Sequence, residues 1–455
     1  MPELAFTLNG QAVRAGPGTL LAACAALGAE VPTLCHDPRL APASACRLCE
    51  VEVDGHERNP CACATPLEAG MVVRTHTDAL ESYRRGVLQM LARHYPPDAV
   101  EAMPQQPFHR WLRHYGVAAE GARDAALADA THPYIRVDLS QCIDCYRCVR
   151  ICEEVQGRFV WKVEDRGART RVVAEPGGTL LKSPCVSCGA CVDACPTGAL
   201  ADAGFFDLGP AERWTRTTCP YCGTGCELAV GVKEDRIVAS RPVMDAPVSR
   251  GHLCVKGRYG TAFVDAPDRV LKPMVRAGGR WREVSWDEAL DAAADALLRI
   301  GNEHGADALG FLGSSRATNE EAYLVQKLAR LAAGTNNVDC CARVCHAPSA
   351  AGLGQVFGTG AATNSFDDIE RAALLLVVGS NATENHPIVG ARIKQRALAG
   401  VPLIVIDPRR IELAEHARIH LAPRPGTNLP LLLALARVIL DEGLEDRAFI
   451  ESRTE

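Results

Sequence analysis

The sequence predicts an α+β protein of several domains, with small cysteine-bearing modules first and an α/β region last. Three observations predict this. Short alternating segments with strong turn signals open the chain, and its 21 cysteines fall into groups with fixed short gaps. After about Pro273, buried-type strands alternate with helical segments. A length of 455 residues exceeds what one hydrophobic core supports, so roughly two to four domains are expected.

Composition narrows the class before any motif does. The formal net charge of −6 and the lack of a basic arm argue against nucleic acid or an anionic membrane surface as partner. The opening Met1-Pro2-Glu3-Leu4 carries no export signal, and Arg84-Arg85 lies deep in the chain with no apolar stretch after it. The longest apolar runs, Ala372 to Gly379 and Leu429 to Ala436, fall far short of the ~20 residues that span a bilayer. A cytoplasmic chain without a membrane span is expected, in which cysteines stay reduced and metal binding is favoured over disulfides.

The elements follow in order. Leu4 to Leu8 alternates as a strand, Asn9-Gly10 is a hairpin turn and Ala12 to Arg14 returns, the start of a β-grasp-like module. A helix is expected from Thr19 to Leu27. Between Asp78 and His94 the apolar positions Leu80, Tyr83, Val87 and Leu91 recur at helical spacing, and Pro96-Pro97 ends that helix. The stretch from Asp98 to Pro133, polar and rich in alanine, is expected to be helical. Leu374 to Gly379 and Leu403 to Asp407 read as buried strands around a helical segment, Ile388 to Leu398, the rhythm of a dinucleotide-binding sheet. Phe449 to Glu455 runs on in helical style without a stop, so the chain reads as cut.

The cysteine groups carry the chemistry. Cys35, Cys46 and Cys49, with either Cys61 or Cys63, suit a two-iron cluster held on a long loop; a zinc knuckle is the plainer reading. The strongest signal is a repeat. Cys142, Cys145, Cys148 and Cys152 follow the spacing x-x, x-x, x-x-x, and Cys185, Cys188, Cys191 and Cys195-Pro196 follow it again. Two such runs describe a two-cluster ferredoxin in which each fourth cysteine crosses to the other cluster. One four-iron cluster is therefore expected on Cys142, Cys145, Cys148 and Cys195, the other on Cys185, Cys188, Cys191 and Cys152. Glu153 stands where the second run has proline. Cys219, Cys222, Cys226 and the distant Cys254 can fold around one more four-iron cluster or, taken alone, around zinc.

From Cys219 to Gly257 the chain resembles the molybdopterin oxidoreductase family, whose large subunits open with this module. The resemblance places Lys256 between cluster and pterin, where the sequence alone allows a solvated lysine. Cys63-Ala-Thr-Pro resembles the cluster-closing segment of the complex I large-subunit ferredoxin domain, which selects Cys63 over Cys61. Thr335 to Ser349, with Arg343-Val-Cys345-His346 inside it, resembles the formate dehydrogenase active-site segment. It implies Cys345 as ligand of molybdenum or tungsten and His346 as proton acceptor, against the bland reading of a buried Cys-His pair. Gly379-Ser380-Asn381 with Glu384 and His386, then Asp407 and Arg409, then Gly426-Thr427-Asn428, resemble loops contacting the pterin dinucleotide. Each alone would be an ordinary turn; their order carries the weight. Cys24, Cys61, Cys340 and Cys341 are left as buried or spare thiols.

The resemblance implies one 2Fe-2S cluster, three 4Fe-4S clusters and a molybdenum or tungsten bis-molybdopterin guanine dinucleotide. It also implies formate as substrate and an NAD-linked flavin and iron–sulfur partner subunit as acceptor. The expected division is a 2Fe-2S ferredoxin-like domain (1–78), a helical linker (79–133), a two-cluster ferredoxin domain (134–212), a 4Fe-4S module (213–271) and an incomplete α/β pterin domain (272–455). Relatives often carry a His/Cys cluster after the two-iron domain; His94 is kept here without its cysteines, so that cluster is expected to be absent. The family's substrate arginine is expected past residue 455. A nitrate reductase of the same superfamily is one rival, against which Cys345-His346 tells. A non-catalytic subunit like the large peripheral subunit of complex I is another.

Overall fold

The computed structural model describes residues 2–174 and 178–454. The described residues fall into two compact units, residues 1–260 with 369–455, and residues 261–368.

In the first unit, β1 (Leu4–Leu8) and β2 (Gln11–Ala15) form the hairpin expected across Asn9-Gly10, both turn residues taking positive φ. Helix α1 spans Leu20–Ala26, with Thr19 as the N-cap accepting from the Ala22 amide at 3.2 Å. Strands β3 (Glu52–Val53) and β4 (Val72–Arg74) complete a sheet of order β2-β1-β4-β3, with β1 and β4 parallel. Phe6, Leu8, Leu20, Leu21, Val51 and Val73 close its core. The expected β-grasp-like module is present.

Helix α2 (Asp78–Ala92) buries Leu80, Arg84, Leu88 and Ala92. Of the expected stripe, Leu80 is buried and Val87 and Leu91 pack half-buried against the core, whereas Tyr83 is exposed and Arg84 takes its place. The cause is Arg84, whose guanidinium is fully buried and bonds the Glu81 carboxylate at 2.9 Å and the Glu50 carbonyl at 3.0 Å. Pro96-Pro97 ends α2 as expected, but Pro97 also opens α3 (Pro97–Ala102), because proline suits the first helical position. α-Helicity stops at the end of α4 (Pro107–His114), with only a short 3-10 turn over Ala125–Leu127 before Pro133. The chain then packs against the turn that follows α2: a side chain at Gly121 would strike the His94 carbonyl. Leu88, Tyr95, Phe108 and Leu112 form a core that also seats Leu34 and Leu48, so the cysteine loop is anchored on these helices.

The next module is a sheet of β5 (Ala128–Asp129), β6 (Ile135–Asp138) and β9 (Leu200–Asp202), with a hairpin of β7 (Trp161–Glu164) and β8 (Arg171–Ala174). Helices α5 (Arg147–Ile151) and α6 (Ala190–Ala194) start from equivalent loops. Helix α7 (Ala203–Leu208) leads to three antiparallel strands, β10 (Arg213–Thr218), β11 (Glu227–Lys233) and β12 (Arg236–Pro242), followed by α8 (Val255–Tyr259).

The second unit holds the hairpin β13 (Met274–Ala277) and β14 (Arg280–Glu283), α9 (Trp286–His304), and a parallel pair, β15 (Phe311–Gly313) and β16 (Val338–Cys340). Its α10 (Asn319–Lys327) starts with a capping box of Thr318 and Glu321. Two further helices, α11 (Ala342–Cys345) and α12 (Ala347–Phe357), follow β16.

The chain returns to the first unit with parallel strands β17 (Leu375–Val378), β18 (Leu403–Ile406) and β19 (Ile419–Leu421), and with α13 (Pro387–Leu398) crossing from β17 to β18. Strand β18 is buried as expected, whereas β17 buries Val377 and leaves Leu376 open. Only the face of β17 that meets Ile393, Leu403 and Val405 is covered. Helix α14 (Asn428–Asp441) follows β19, and a last helix over Arg447–Arg453 stops there.

Phe108 meets Tyr95 edge-on, with ring centroids 4.9 Å apart. Phe108→Ala should lower the stability of the helical region by about 3–5 kcal/mol, because the cavity cannot collapse between α2 and α4. Hydrogen exchange of the amides of α2 and α4 should accelerate accordingly; unchanged protection there would refute the assignment of this core.

Candidate metal centres and cofactor site

The first thiol group sits on the loop between α1 and β4. Ser44 and Arg47 adopt left-handed backbone conformations that turn the chain around Cys46. The Cys46 amide lies 3.4 Å from the Cys35 sulfur, and the Ser44 hydroxyl 3.7 Å from the Cys63 sulfur. A hydrogen bond with Cys46 pulls the Cys35 thiol down to about 6 and drives that of Cys46 far up. Cys63 and Cys49 repeat this, with Cys63 down to about 6 and Cys49 far above its ordinary value. The structure thus gathers Cys35, Cys46, Cys49 and Cys63. Cys61 is buried but bonds no other thiol, and burial raises it.

The repeat of the second group is visible in the backbone. Asp144 and Tyr146 in the first run, and Ser187 and Gly189 in the second, all have positive φ. Each run therefore curls so that an amide faces its own first sulfur: Asp144 to Cys142 at 3.4 Å, Ser187 to Cys185 at 3.3 Å. Cys142, Cys145, Cys148 and Cys195 line one void, walled by Leu139, Trp161 and Leu200. Cys195 comes from the second run, so the fourth cysteine crosses over. Cys152, Cys185, Cys188 and Cys191 interact with one another on the far side. Burial pushes these thiols up, Cys145 and Cys188 to about 12.

Cys219, at the end of β10, donates its amide to the Cys226 carbonyl at 2.8 Å, pinning the loop between them. Cys254 caps α8. Together with Cys222 and Lys256 these residues line a further void, into which Asn385 and Pro387 also reach. Burial raises Cys226 to about 12.

No three His, Cys, Asp or Glu side chains among the described residues converge closely enough for a single metal ion. Thiols spread around a void, with amides aimed at sulfur, fit a polynuclear iron–sulfur core; one zinc ion would draw four ligands to a point. The residues present fit the group.

The loops expected to meet the pterin lie at the C-terminal ends of adjacent parallel strands, where open α/β sheets bind ligands. Gly379 leaves β17 with φ +59 and its amide on the Ile406 carbonyl. Ser380 follows, and Asn381 is buried and accepts through its backbone from the amides of Glu384 and Asn385. His386 precedes α13. Asp407 leaves β18 buried, its carboxylate accepting from the Arg409 amide at 2.8 Å. Gly426 has φ +85, Thr427 bonds the Arg424 carbonyl and Asn428 opens α14.

In the second unit, Cys345 ends α11 and is exposed. His346 stands between α11 and α12 with its Nε2 3.1 Å from the Gly360 carbonyl. Cys24 and Cys61 are buried as expected for spare thiols. Cys341 is exposed, and Ser315 lowers its thiol by hydrogen bonding. The sequence reading missed the groups that hold the cysteine loops together. Asp37 takes Arg39 and, across the module boundary, Arg147 at 2.9 Å; Arg150 reaches the Cys35 carbonyl at 3.3 Å. Two arginines three residues apart, Arg147 and Arg150, both inside the first cysteine run, were the available signal.

Four protein-family profiles match the chain: a 2Fe-2S iron-sulfur cluster binding domain (2–78), the ferredoxin-like domain of NADH-quinone oxidoreductase subunit 3 (132–201), the molybdopterin oxidoreductase Fe4S4 domain (212–266) and molybdopterin oxidoreductase (269–450). The region from 212 to 450, matched by the two molybdopterin oxidoreductase profiles, belongs to the molybdopterin oxidoreductase family. It is 34% identical over 501 residues to a Staphylococcus aureus (strain MRSA252) protein provisionally named a formate dehydrogenase, covering 100% of this chain and 51% of that protein. A counterpart from strain USA300, provisionally named likewise, is also 34% identical and is covered to 50%, against 99% of this chain. The chain spans about half the length of the curated relatives it matches. Acetylene hydratase from Pelobacter acetylenicus superposes with a TM-score of 0.46 at 29% identity, over 52% of this chain and 33% of that one.

Cys63→Ser should remove the two-iron electron paramagnetic resonance signal and lower the iron content by roughly two atoms per chain. Cys61→Ser should leave both intact. The reverse pattern would exchange the two residues.

Proposed function

We propose that the whole protein to which this chain belongs is a molybdenum- or tungsten-dependent formate dehydrogenase. The observation that carries this reading is Cys345-His346 in its local geometry. A thiol ends a helix with its side chain open, and the adjacent imidazole is oriented by its own hydrogen bond. Because a carbonyl can only accept, the His346 Nε2 must donate to Gly360, which leaves Nδ1 free to take a proton. A soft thiolate suits a high-valent metal that already carries dithiolene sulfurs. The provisional names of the relatives agree with this substrate.

Cys345 would hold the metal. Gly379, Ser380, Asn381, Glu384, His386, Asp407, Arg409, Gly426, Thr427 and Asn428 would hold the two pterin guanine dinucleotides, with Lys256 between pterin and the nearest cluster. Cys35, Cys46, Cys49 and Cys63 would hold a two-iron cluster. The sets Cys142/Cys145/Cys148/Cys195, Cys152/Cys185/Cys188/Cys191 and Cys219/Cys222/Cys226/Cys254 would each hold a four-iron cluster. The chemistry supplied when these groups are bound is two-electron oxidation at the metal and single-electron relay at iron and sulfide. The protein's own contribution is to keep the relay thiols dry, to bring backbone amides to sulfur and to receive the formate proton on His346. The domain division expected above is proposed with this assignment.

The matched ferredoxin-like domain of an NADH-quinone oxidoreductase supports an NAD-linked flavin and iron–sulfur partner subunit, docked near the two-iron module. No helix among the described residues is long and apolar enough to cross a membrane. We place the complex in the cytoplasm.

In the whole protein, Cys345→Ala should abolish formate-dependent viologen reduction while iron content stays near normal. His346→Gln should depress the rate about 10²–10⁴-fold, the usual range for a lost acid–base group. Turnover surviving in Cys345→Ala would sink the ligand assignment. Nitrate reduction without formate oxidation would favour the nitrate reductase reading, and an intact protein lacking molybdenum, tungsten and pterin would favour a pure electron-transfer subunit.

A further inference from the structure

The helices α2 to α4 carry none of the residues assigned above to clusters or pterin, yet the segment they press on does. The Phe108 amide, in the first turn of α4, donates to the Pro196 carbonyl at 2.9 Å. Met103, just past α3, stands so close to Gly198 that a side chain there would strike its methyl group. Cys195-Pro196-Thr197-Gly198 is therefore held against these helices, all within the first unit.

Inside that contact runs a chain of polar groups closed to water. Thr197 and Tyr95 are 1% exposed and His109 is 0% exposed. Thr197 Oγ1 lies 3.3 Å from the Cys195 sulfur, and the Thr197 hydroxyl also bonds that of Tyr95. The Tyr95 hydroxyl lies 2.5 Å from His109 Nε2, and His109 Nδ1 ends the chain 2.7 Å from the Met103 carbonyl.

The direction of each bond follows from the far end. A carbonyl only accepts, so His109 Nδ1 carries a proton. Burial lowers the His109 imidazole, which keeps it neutral, and drives the Tyr95 phenol far up, which keeps it protonated. Nε2 of a neutral ring is then an acceptor, and Tyr95 gives it its only hydroxyl hydrogen. Thr197 Oγ1 accepts from the Ala199 amide at 3.2 Å. One hydrogen is left with a choice, that of the Thr197 hydroxyl. Its two acceptors are the Tyr95 oxygen and the Cys195 sulfur, which as a metal-bound thiolate has no hydrogen to give.

We propose that the Thr197 hydroxyl is a two-position donor that tunes the four-iron cluster of Cys142, Cys145, Cys148 and Cys195, turning to the Cys195 sulfur in the reduced state and to the Tyr95 oxygen in the oxidised one. The inference rests on the ligand set proposed above. An added electron makes the sulfur a stronger acceptor, and hydrogen bonds to sulfur are among the factors that set cluster potentials. Thr197 is thus a positioning residue that favours the reduced state. Tyr95, oriented by His109, opposes it by offering the same hydrogen another place. The helical region takes part in the relay without holding a metal.

The test is a redox titration of the whole, cluster-loaded protein followed by electron paramagnetic resonance. The four-iron signal lost in Cys142→Ser identifies the cluster; if that variant loses neither signal nor iron, the ligand set falls and the inference with it. For that signal, Thr197→Val should lower the reduction equilibrium about tenfold, roughly 59 mV for one electron. Thr197→Ser, which keeps the hydroxyl, should leave the potential near that of the unaltered protein. Tyr95→Phe should shift it the opposite way, by roughly two- to fivefold, because Thr197 then has one acceptor. A merely structural role does not produce shifts of opposite sign. Iron content and circular dichroism show whether a variant has folded and loaded, and if Thr197→Val has not, the sign of the Tyr95→Phe shift decides. An unmoved potential in either folded variant, or shifts of one sign in both, overturns the inference and leaves the ligand set standing.

Discussion

A buried sulfur resists carrying charge, and most of this molecule is arranged around that resistance. The thiolate, not the thiol, is the metal ligand. Yet burial raises the repeated cysteines, in several cases to about 12 or beyond. In the bare protein the pockets favour neutral thiols. A core of positively charged iron reverses the balance, because a nearby cation favours the anion more strongly in a dry site than in water. The amides of Asp144 and Ser187 aimed at sulfur act in the same direction. The folded pockets are thus complementary to a loaded state rather than an empty one, and loading and folding are coupled. The two-iron loop solves the problem differently: two thiols sit near 6 because each accepts a hydrogen bond from a neighbour that stays protonated.

The same electrostatic economy governs how the modules join. Arg258, directly after the third cysteine group, is almost fully buried and binds Asp193 at 2.7 Å and Asp202 at 2.8 Å, on either side of Cys195 in sequence. Tyr259 donates to Asp202 at 2.9 Å and stacks on Tyr134. Arg147 binds Asp37, whose carboxyl is held well below its usual range despite burial. Lys394 of α13 binds Glu412 at 2.6 Å, with Arg158 on the same carboxylate. Buried ion pairs of this kind add little to stability over an apolar pair of the same shape, but removing one partner leaves a stranded charge. They specify how neighbouring segments fit, and the relay proposed above would need such a rigid fit.

Much of this was legible in the chain because cysteine spacing and ligand geometry are nearly the same information. The crossing of Cys195 into the first run's void, the β-grasp hairpin at Asn9-Gly10 and the crossover helix after β17 all follow from local signals. What could not be read depends on contacts distant in sequence. The buried row of α2 shifted because Arg84 reaches the Glu50 carbonyl, and no periodicity count expects a charged residue inside. The linker after His114 is extended where it packs against His94 and Tyr95 just past α2, a close approach at Gly121 that no local pattern announces. Strand β17 looked buried from its apolar run, but whether both faces of a strand are covered depends on what packs on the sheet, not on the strand itself.

The site residues divide by burial in a way that the chemistry explains. The cysteines of the two ferredoxin-like modules are buried or half-buried, and an electron passed between dry centres needs neither substrate access nor proton exchange. Cys345 and His346 are exposed, on a helix end and the turn after it. On the reading proposed above, formate would have to reach the metal beside Cys345 and its proton would have to leave by way of His346. On that reading one residue type serves two purposes in two different environments. Where cysteine is sealed among Leu139, Trp161 and Leu200 it suits a relay. Where it ends a short helix beside an oriented imidazole it suits a reaction that releases a proton.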